Sequence, residues 1–210
     1  MYFVLIACFV VTANAANFCC QPDVWEGGLG LIMGTRGTND AGSYLEGTMS
    51  IHVDAVNRIT ATNQSLTVND RTTVMQRLVS DYKNNLLYTM TETSCSKQTL
   101  GEWRSNCIPD NATESMGYFG LGGESIQVKN YYINYVDYQV FASVTADTCV
   151  PVSYDIVGRF GDNEVVQNMV FGDIKPGIAD RSVFQVPAQC DDPPTFSTAN
   201  SVIGRRSTLF

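Results

Sequence analysis

A mostly β protein with antiparallel connections is what this sequence predicts, and three observations carry that expectation. Runs of roughly ten residues, loosely alternating apolar and polar, are separated by short clusters of turn residues. Aromatic and β-branched residues crowd those runs, as strands prefer. Helical signals are poor: Thr73–Leu87 has 3.6-residue spacing at Val74, Leu78 and Tyr82, but its β-branched content leaves helix and strand both open.

In chain order, Tyr2–Val11 is an apolar run ending in Thr12-Ala13-Asn14-Ala15. That is the small-residue pattern of a signal-peptidase site, so residues 1–15 read as a cleaved secretory signal. The run is shorter than the ~20 apolar residues a bilayer span takes, and no later stretch reaches that length. The glycine cluster Gly27–Gly34 places three residues, not two, between Gly30 and Gly34. It reads as a loop and a strand entry, not as a dinucleotide fingerprint. Ser43–Val53 alternates, Asp54–Asn57 turns, and Arg58–Val68 continues in Ile, Thr and Val up to the turn at Asn69-Asp70. Thr73–Tyr82, the turn Lys83–Asn85 and Leu86–Thr93 complete a meander. Gly101–Gly123, with Pro109, a sequon and five glycines, reads as a long surface loop with little regular structure. Strands resume at Ser125–Tyr135, Tyr138–Thr145, Val150–Phe160 and, past the turn Gly161–Asn163, Glu164–Ile174. Asp180–Phe184 suits one short helical turn, and residues 191–210 form a polar tail containing Pro193-Pro194 and Gly204-Arg205-Arg206. With no repeat and no shift in composition, residues 16–190 read as one β domain.

Composition narrows the function. The 210 residues carry a formal charge of −8, without the basic stripe that nucleic-acid binding needs. Seven cysteines are present, and signal cleavage removes Cys8, leaving Cys19, Cys20, Cys95, Cys107, Cys149 and Cys190. An even set in an oxidising pathway pairs, in any of fifteen ways. Adjacent Cα atoms lie about 3.8 Å apart, below the usual disulfide range of roughly 4.4–6.8 Å. Cys19 and Cys20 therefore bond separate distant segments. No CxxC or Cys/His spacing suggests zinc, and nothing matches an EF-hand, which leaves calcium only a diffuse association with the acidic surface and no metal ligand to name. No nucleophile elbow, P-loop or HExxH is present. The single histidine, His52, lies in the alternating run Met49–Val53 as an outward polar residue, so the chain reads as a non-enzyme without a cofactor. Two sequons, Asn63-Gln64-Ser65 and Asn111-Ala112-Thr113, mark Asn63 and Asn111 for N-glycosylation. Strand alternation nominates Leu86, Tyr88 and Met90, or Val140, Ala142 and Val144, as an inward face that lines either an apolar pocket or a filled core.

Several stretches together resemble the ependymin-related proteins. They are Cys20-Gln21-Pro22 with Trp25-Glu26-Gly27, Cys95–Leu100, Ile108–Thr113, Cys149-Val150-Pro151-Val152, and Gly177–Phe184 leading through Pro187 to Cys190, in the family's order. The resemblance implies two stacked antiparallel sheets, a half-open barrel similar to bacterial lipoprotein-carrier proteins, with a hydrophobic pocket between them. It implies a secreted glycoprotein (or one of the lysosomal lumen) that is calcium-associating and a homodimer, with a hydrophobic or lipid-like ligand. The alternative is a matrix or cell-adhesion glycoprotein acting through calcium-dependent glycan and acidic-surface contacts. It also implies the bonds Cys20–Cys149 and Cys95–Cys190, leaving Cys19 with Cys107, an exchange of partners between Cys19 and Cys20 remaining open.

Overall fold

The computed structural model describes residues 19–37 and 42–190. The expected signal, residues 1–15, and the expected tail from Asp191 lie outside the described residues. Eleven strands account for most of the rest: β1 Val24–Arg36, β2 Gly42–Asp54, β3 Ile59–Val68, β4 Thr72–Asp81, β5 Leu86–Met90, β6 Cys95–Thr99, β7 Thr113–Phe119, β8 Ile126–Asn134, β9 Tyr138–Thr145, β10 Pro151–Phe160 and β11 Asn163–Pro176. Short 3-10 turns lie at Gly122–Glu124, Arg181–Phe184 and Ala188–Cys190.

All eleven strands belong to one antiparallel sheet in the order β6-β5-β4-β3-β2-β1-β11-β10-β9-β8-β7, not to two separate sheets. Two sequential meanders, β1–β6 and β7–β11, are welded where β1 pairs with β11. The weld is the glycine-rich segment. Gly27, Gly28, Gly30 and Gly34 lie within β1 itself, which corrects their reading as a loop and strand entry. A side chain at Gly27 would place Cβ 2.9 Å from Ile174 Cγ1 and 3.2 Å from Gly172 O, beside a register shift between Glu26 and Gly28. Only glycine permits that approach of two backbones. A second correction concerns Gly101–Gly123, expected to lack regular structure: β7 occupies Thr113–Phe119 as an edge strand.

The chain passes from edge strand β6 to the opposite edge strand β7 through residues 100–112, and that short path forces the sheet to curl. Ten spacings of about 4.8 Å make a flat sheet roughly 48 Å wide, and about fourteen extended steps from Thr99 to Thr113 barely cover it. This segment is not extended throughout, since Ala112 N donates to Pro109 O (3.0 Å). Its consecutive residues Trp103 and Arg104 also touch both halves of the sheet. The Trp103 ring meets Tyr82, just beyond β4, edge-on at 4.9 Å, while Arg104 Nη1 donates to Tyr138 Oη on β9 (2.6 Å). The result is a curled sheet whose edges do not pair, so it is not closed into a barrel.

The curl creates an inside and an outside. Register puts Trp25, Leu29, Leu31 and Met33 of β1 on the inner face with Leu45, Ile51 and Val53 of β2. Val140, Ala142, Val144, Tyr154 and Met169 join the same buried cluster from the other half. Trp25, at its centre, is 0% exposed. On the outer face, the C-terminal segment 177–190 lies across β3–β6 as a clasp. Its Val183, Phe184 and Val186 pack against Ala61, Val79 and Met90. The remaining outer face, over β1 and β9–β11, leaves Ile32, Phe141, Val157, Val166 and Val170 exposed.

Three disulfides close this arrangement: Cys19–Cys149, Cys20–Cys107 and Cys95–Cys190. The Cys95–Cys190 bond agrees with the family pattern, while Cys19 and Cys20 take the exchanged partners. The cause is local geometry. Residues 19–21 pair antiparallel with 106–108, with Gln21 N donating to Asn106 O and Ile108 N to Cys19 O, both at 2.8 Å. Cys20 and Cys107 therefore face each other as a non-hydrogen-bonded pair, where Cα atoms come closest. The neighbouring residue points the opposite way, and Cys19 is buried in the core, where it meets Cys149. A Cys20→Ser variant is expected to leave one free thiol, at Cys107. Alkylation and peptide mapping that instead find the free thiol at Cys149 would contradict this pairing.

Candidate functional site

Two concave features flank the sheet, one inside and one outside. Inside, residues 104–109 of the crossing segment roof a cavity of about 60 Å³ over Ile133, Val140, Ala142 and Tyr154. The roof is held by contacts as well as by sulfur. The Arg104 guanidinium lies 5.3 Å from the Tyr135 ring centre, Asn106 Nδ2 donates to Gln21 O (2.8 Å), and Ile108 packs on the inner core. One polar pair faces this space: Gln21 Nε2 donates to Tyr154 Oη. Burial pushes the Tyr154 phenol well above its ordinary range, the bond from Gln21 opposing only in part, so it stays neutral.

Outside, a groove of about 640 Å³ runs between β2–β5 and the clasp. Its lining combines Met49, Met75, Met90 and Pro187 with polar residues, Thr48, Ser50, Ser65, Arg77 and Glu92 among them. The sequon residue Asn63 belongs to this lining. It is exposed on β3, with Nδ2 3.4 Å from Ser50 Oγ. Asn111, the other sequon residue, is exposed in the turn before β7.

The structure separates the two sets of nominated pocket residues. Val140, Ala142 and Val144 lie on the inner face, and the first two line the 60 Å³ cavity. Leu86, Tyr88 and Met90 lie on the outer face, where Tyr88 and Met90 pack under the clasp and Met90 lines the groove. It is Leu87 that turns toward the inner side, in a cluster with Leu78 and Leu100. Strand alternation found both sets. It carried no information on which face of each meander would curl inward.

The clasp is fastened by charge. Asp54, 1% exposed, receives Arg181 Nη2 together with Asn57 N (2.9 Å) and Asn57 Nδ2 (2.8 Å). Burial alone would raise the Asp54 carboxyl, but the bonds from Arg181 and Asn57 outweigh it and hold it below the usual carboxylate range. Glu26 Oε2 accepts from Ala179 N (3.1 Å) and lies 3.3 Å from His52 Nδ1. Arg77 Nη2 donates to the carbonyls of Ser182 and Gln185. His52 thus has an outward direction, as alternation predicts, yet sits beneath the clasp beside a carboxylate. No local pattern hints at this, because Glu26 and Ala179 reach it only through the β1–β2 register and the clasp.

Among the described residues no group of three or more His, Cys, Asp or Glu side chains is placed to hold a metal ion. No helix among them is long and apolar enough to cross a membrane.

Fold and site together define a disulfide-stapled all-β protein whose single curled sheet encloses an apolar inner face without closing on itself. More particularly, the chain belongs to the Ependymin family, whose pattern matches residues 70–190. No curated protein matches it by sequence. Among solved structures, it is similar to an uncharacterized conserved protein from Thermus thermophilus, with 8% identity over 80% of this chain and 87% of that one, at a TM-score of 0.45. It is also similar to a LolA superfamily protein from Nitrosomonas europaea, with 9% identity over 79% of this chain and 91% of that one, at a TM-score of 0.36. A further likeness is to the MucA/MucB complex structure of Pseudomonas aeruginosa, with 15% identity over 80% of this chain and 56% of that one, at a TM-score of 0.36.

Proposed function

We propose that residues 16–190 form one secreted, N-glycosylated, non-enzymatic binding domain that holds a hydrophobic or lipid-like ligand against the inner face of its curled sheet. One observation carries this reading: a continuous apolar wall drawn from both meanders is covered at its open side by a crossing segment, not by sheet closure. A ligand pocket is mostly apolar, with a few fixed polar groups that orient the guest. The inner face has that composition, and Gln21 with Tyr154 supplies the polar pair. The outer groove is larger, but a sequon asparagine stands in its lining, so a glycan on Asn63 competes there with any guest. An Asn63 glycan there would cover Met75, which is 74% exposed. The cavity of about 60 Å³ is far below the ~300 Å³ lower end of ligand pockets. Uptake of a chain-like guest therefore requires side chains of the crossing segment, Trp103 and Ile108 first, to swing aside. The exposed outer patch of Ile32, Phe141, Val157, Val166 and Val170 offers a second copy of the chain a seat for a homodimer.

The test is displacement of a fluorescent fatty acid from the secreted protein. Ala142→Leu, which adds three carbon atoms beside a cavity of about 60 Å³, is expected to weaken binding about tenfold or more, with a thermal melt run alongside because overpacking a core costs about 1–3 kcal/mol. No binding by the wild-type protein would sink the reading. Equal binding by the Ala142→Leu variant would move the site away from this face.

A further inference from the structure

The β7–β8 hairpin ends in a tip that nothing among the described residues covers. Val128↔Thr145 is the β8–β9 pair nearest this tip. Toward the tip from there β7 and β8 pair with each other through Tyr118↔Gln127 and Phe119↔Ile126, and Ala146 N donates to Gln127 O (3.0 Å) at the base of the projection. Large apolar side chains crowd this projection. Leu121 is 89% exposed and Tyr118 is 74% exposed, with Met116, Phe119 and Ile126 also exposed. The tip is a set conformation: Gly120 (φ 109°) and Gly122 (φ 54°) take left-handed backbone on either side of Leu121, and a 3-10 turn follows at Gly122–Glu124.

Geometry and charge together indicate what covers such a tip. Tyr118 and Phe119 are consecutive in a strand and point to opposite faces, while Leu121 stands at the apex. A flat protein interface covers one face of a hairpin. A fluid lipid interface covers both faces and the apex at once. Between Ser115 and Val128 the one charged residue is Glu124, with no Lys or Arg, and the chain as a whole carries −8. That charge is repelled by an anionic bilayer, whose recognition uses basic clusters, and is indifferent to a zwitterionic one. Tyr and Phe beside small residues suit the headgroup level, where an apolar ring and a polar tip are both accommodated.

We propose that the β7–β8 hairpin is a membrane-interface anchor that places Tyr118, Phe119 and Leu121 into the headgroup and acyl boundary of a zwitterionic bilayer. Insertion of one hairpin is shallow and reversible. It brings the protein to a lipid surface without spanning it.

The experiment is co-sedimentation of the secreted protein with phosphatidylcholine vesicles, run beside Leu121→Asp and a Leu121→Trp reporter. The wild type is expected to bind, and Leu121→Asp to bind about tenfold less. Leu121→Trp is expected to shift its fluorescence to the blue on vesicles and to be quenched by brominated phosphatidylcholine. Leu121 is solvent-exposed, so an unchanged melting temperature shows that the variants are folded. The proposal is overturned if the wild type ignores phosphatidylcholine, if Leu121→Asp binds equally well, or if binding appears only with anionic lipid and disappears with salt. It is also overturned if light scattering shows Leu121→Asp dissociating a dimer while vesicle binding is unchanged, which would make the hairpin a protein contact.

Discussion

Replacing Cys95 and Cys190 together by alanine is expected to cost about 2–5 kcal/mol of unfolding free energy. The bond joins residues 95 apart in sequence, and closing a loop of that length removes roughly 4–5 kcal/mol of chain entropy from the unfolded state in the simplest account. The location adds a structural consequence. Both half-cystines are buried, one at the start of edge strand β6 and the other at the end of the clasp. Without the bond, the end of the clasp is held by side-chain packing of Val183, Phe184 and Val186 on Ala61, Val79 and Met90. Fraying there exposes both that cluster and the edge of β6, an unpaired strand edge that invites association. Urea denaturation of the double variant, with limited proteolysis to locate the first cut, checks this. A loss below about 1 kcal/mol, or a first cut outside residues 177–190, would show that the clasp does not depend on its sulfur anchor.

The second large effect comes from one arginine. Arg181→Met is expected to destabilise the protein by up to about 3 kcal/mol at neutral pH, because it strands a carboxylate that is almost wholly out of water. Asp54 keeps its two bonds from Asn57 and Arg181 is itself more than half exposed, which makes about 3 kcal/mol, the lower end for a broken buried pair, the upper bound of the cost. The pH dependence has a definite sign. The folded-state pKa of Asp54 lies below its ordinary value of about 3.9. Its contribution is therefore complete above that ordinary value and is lost as pH falls through the lower folded value. The gap between wild type and Arg181→Met should accordingly be widest near neutrality and shrink in acid, as protonation removes the charge the arginine compensates. Urea melts of both proteins across that range provide the check. A gap that stays constant with pH would assign the cost to lost packing of the arginine stem.

Much of the strand inventory was legible before any coordinates. Alternation placed β2, β3, β5 and β8–β11 within a few residues of their observed ends, because most of them keep one face toward the core. β4, whose spacing left helix and strand both open, buries the consecutive residues Leu78 and Val79 on opposite faces. Three strands were not legible, for three different reasons. β1 is full of glycine, which lowers strand propensity. There the glycines serve the near contact of Gly27 with Gly172 and Ile174, partners at the far end of the described chain. β6, Cys95-Ser96-Lys97-Gln98-Thr99, is a polar edge strand with no apolar period to read. β7 shows little burial on either side, and its apolar residues are exposed, so the pattern that marks a strand is absent.

The six half-cystines, the two sequons, the acid balance and the β character were determined by residue identity alone, since compartment, turn chemistry and alternation act over a few positions. Which cysteine takes which partner, which apolar face becomes the inside, and that both meanders share one sheet were decided only by the tertiary structure. These depend on β1 meeting β11 and on a short crossing segment pulling the two edges together. Such contacts join residues far apart in the chain, and local sequence carries no record of the distance they close.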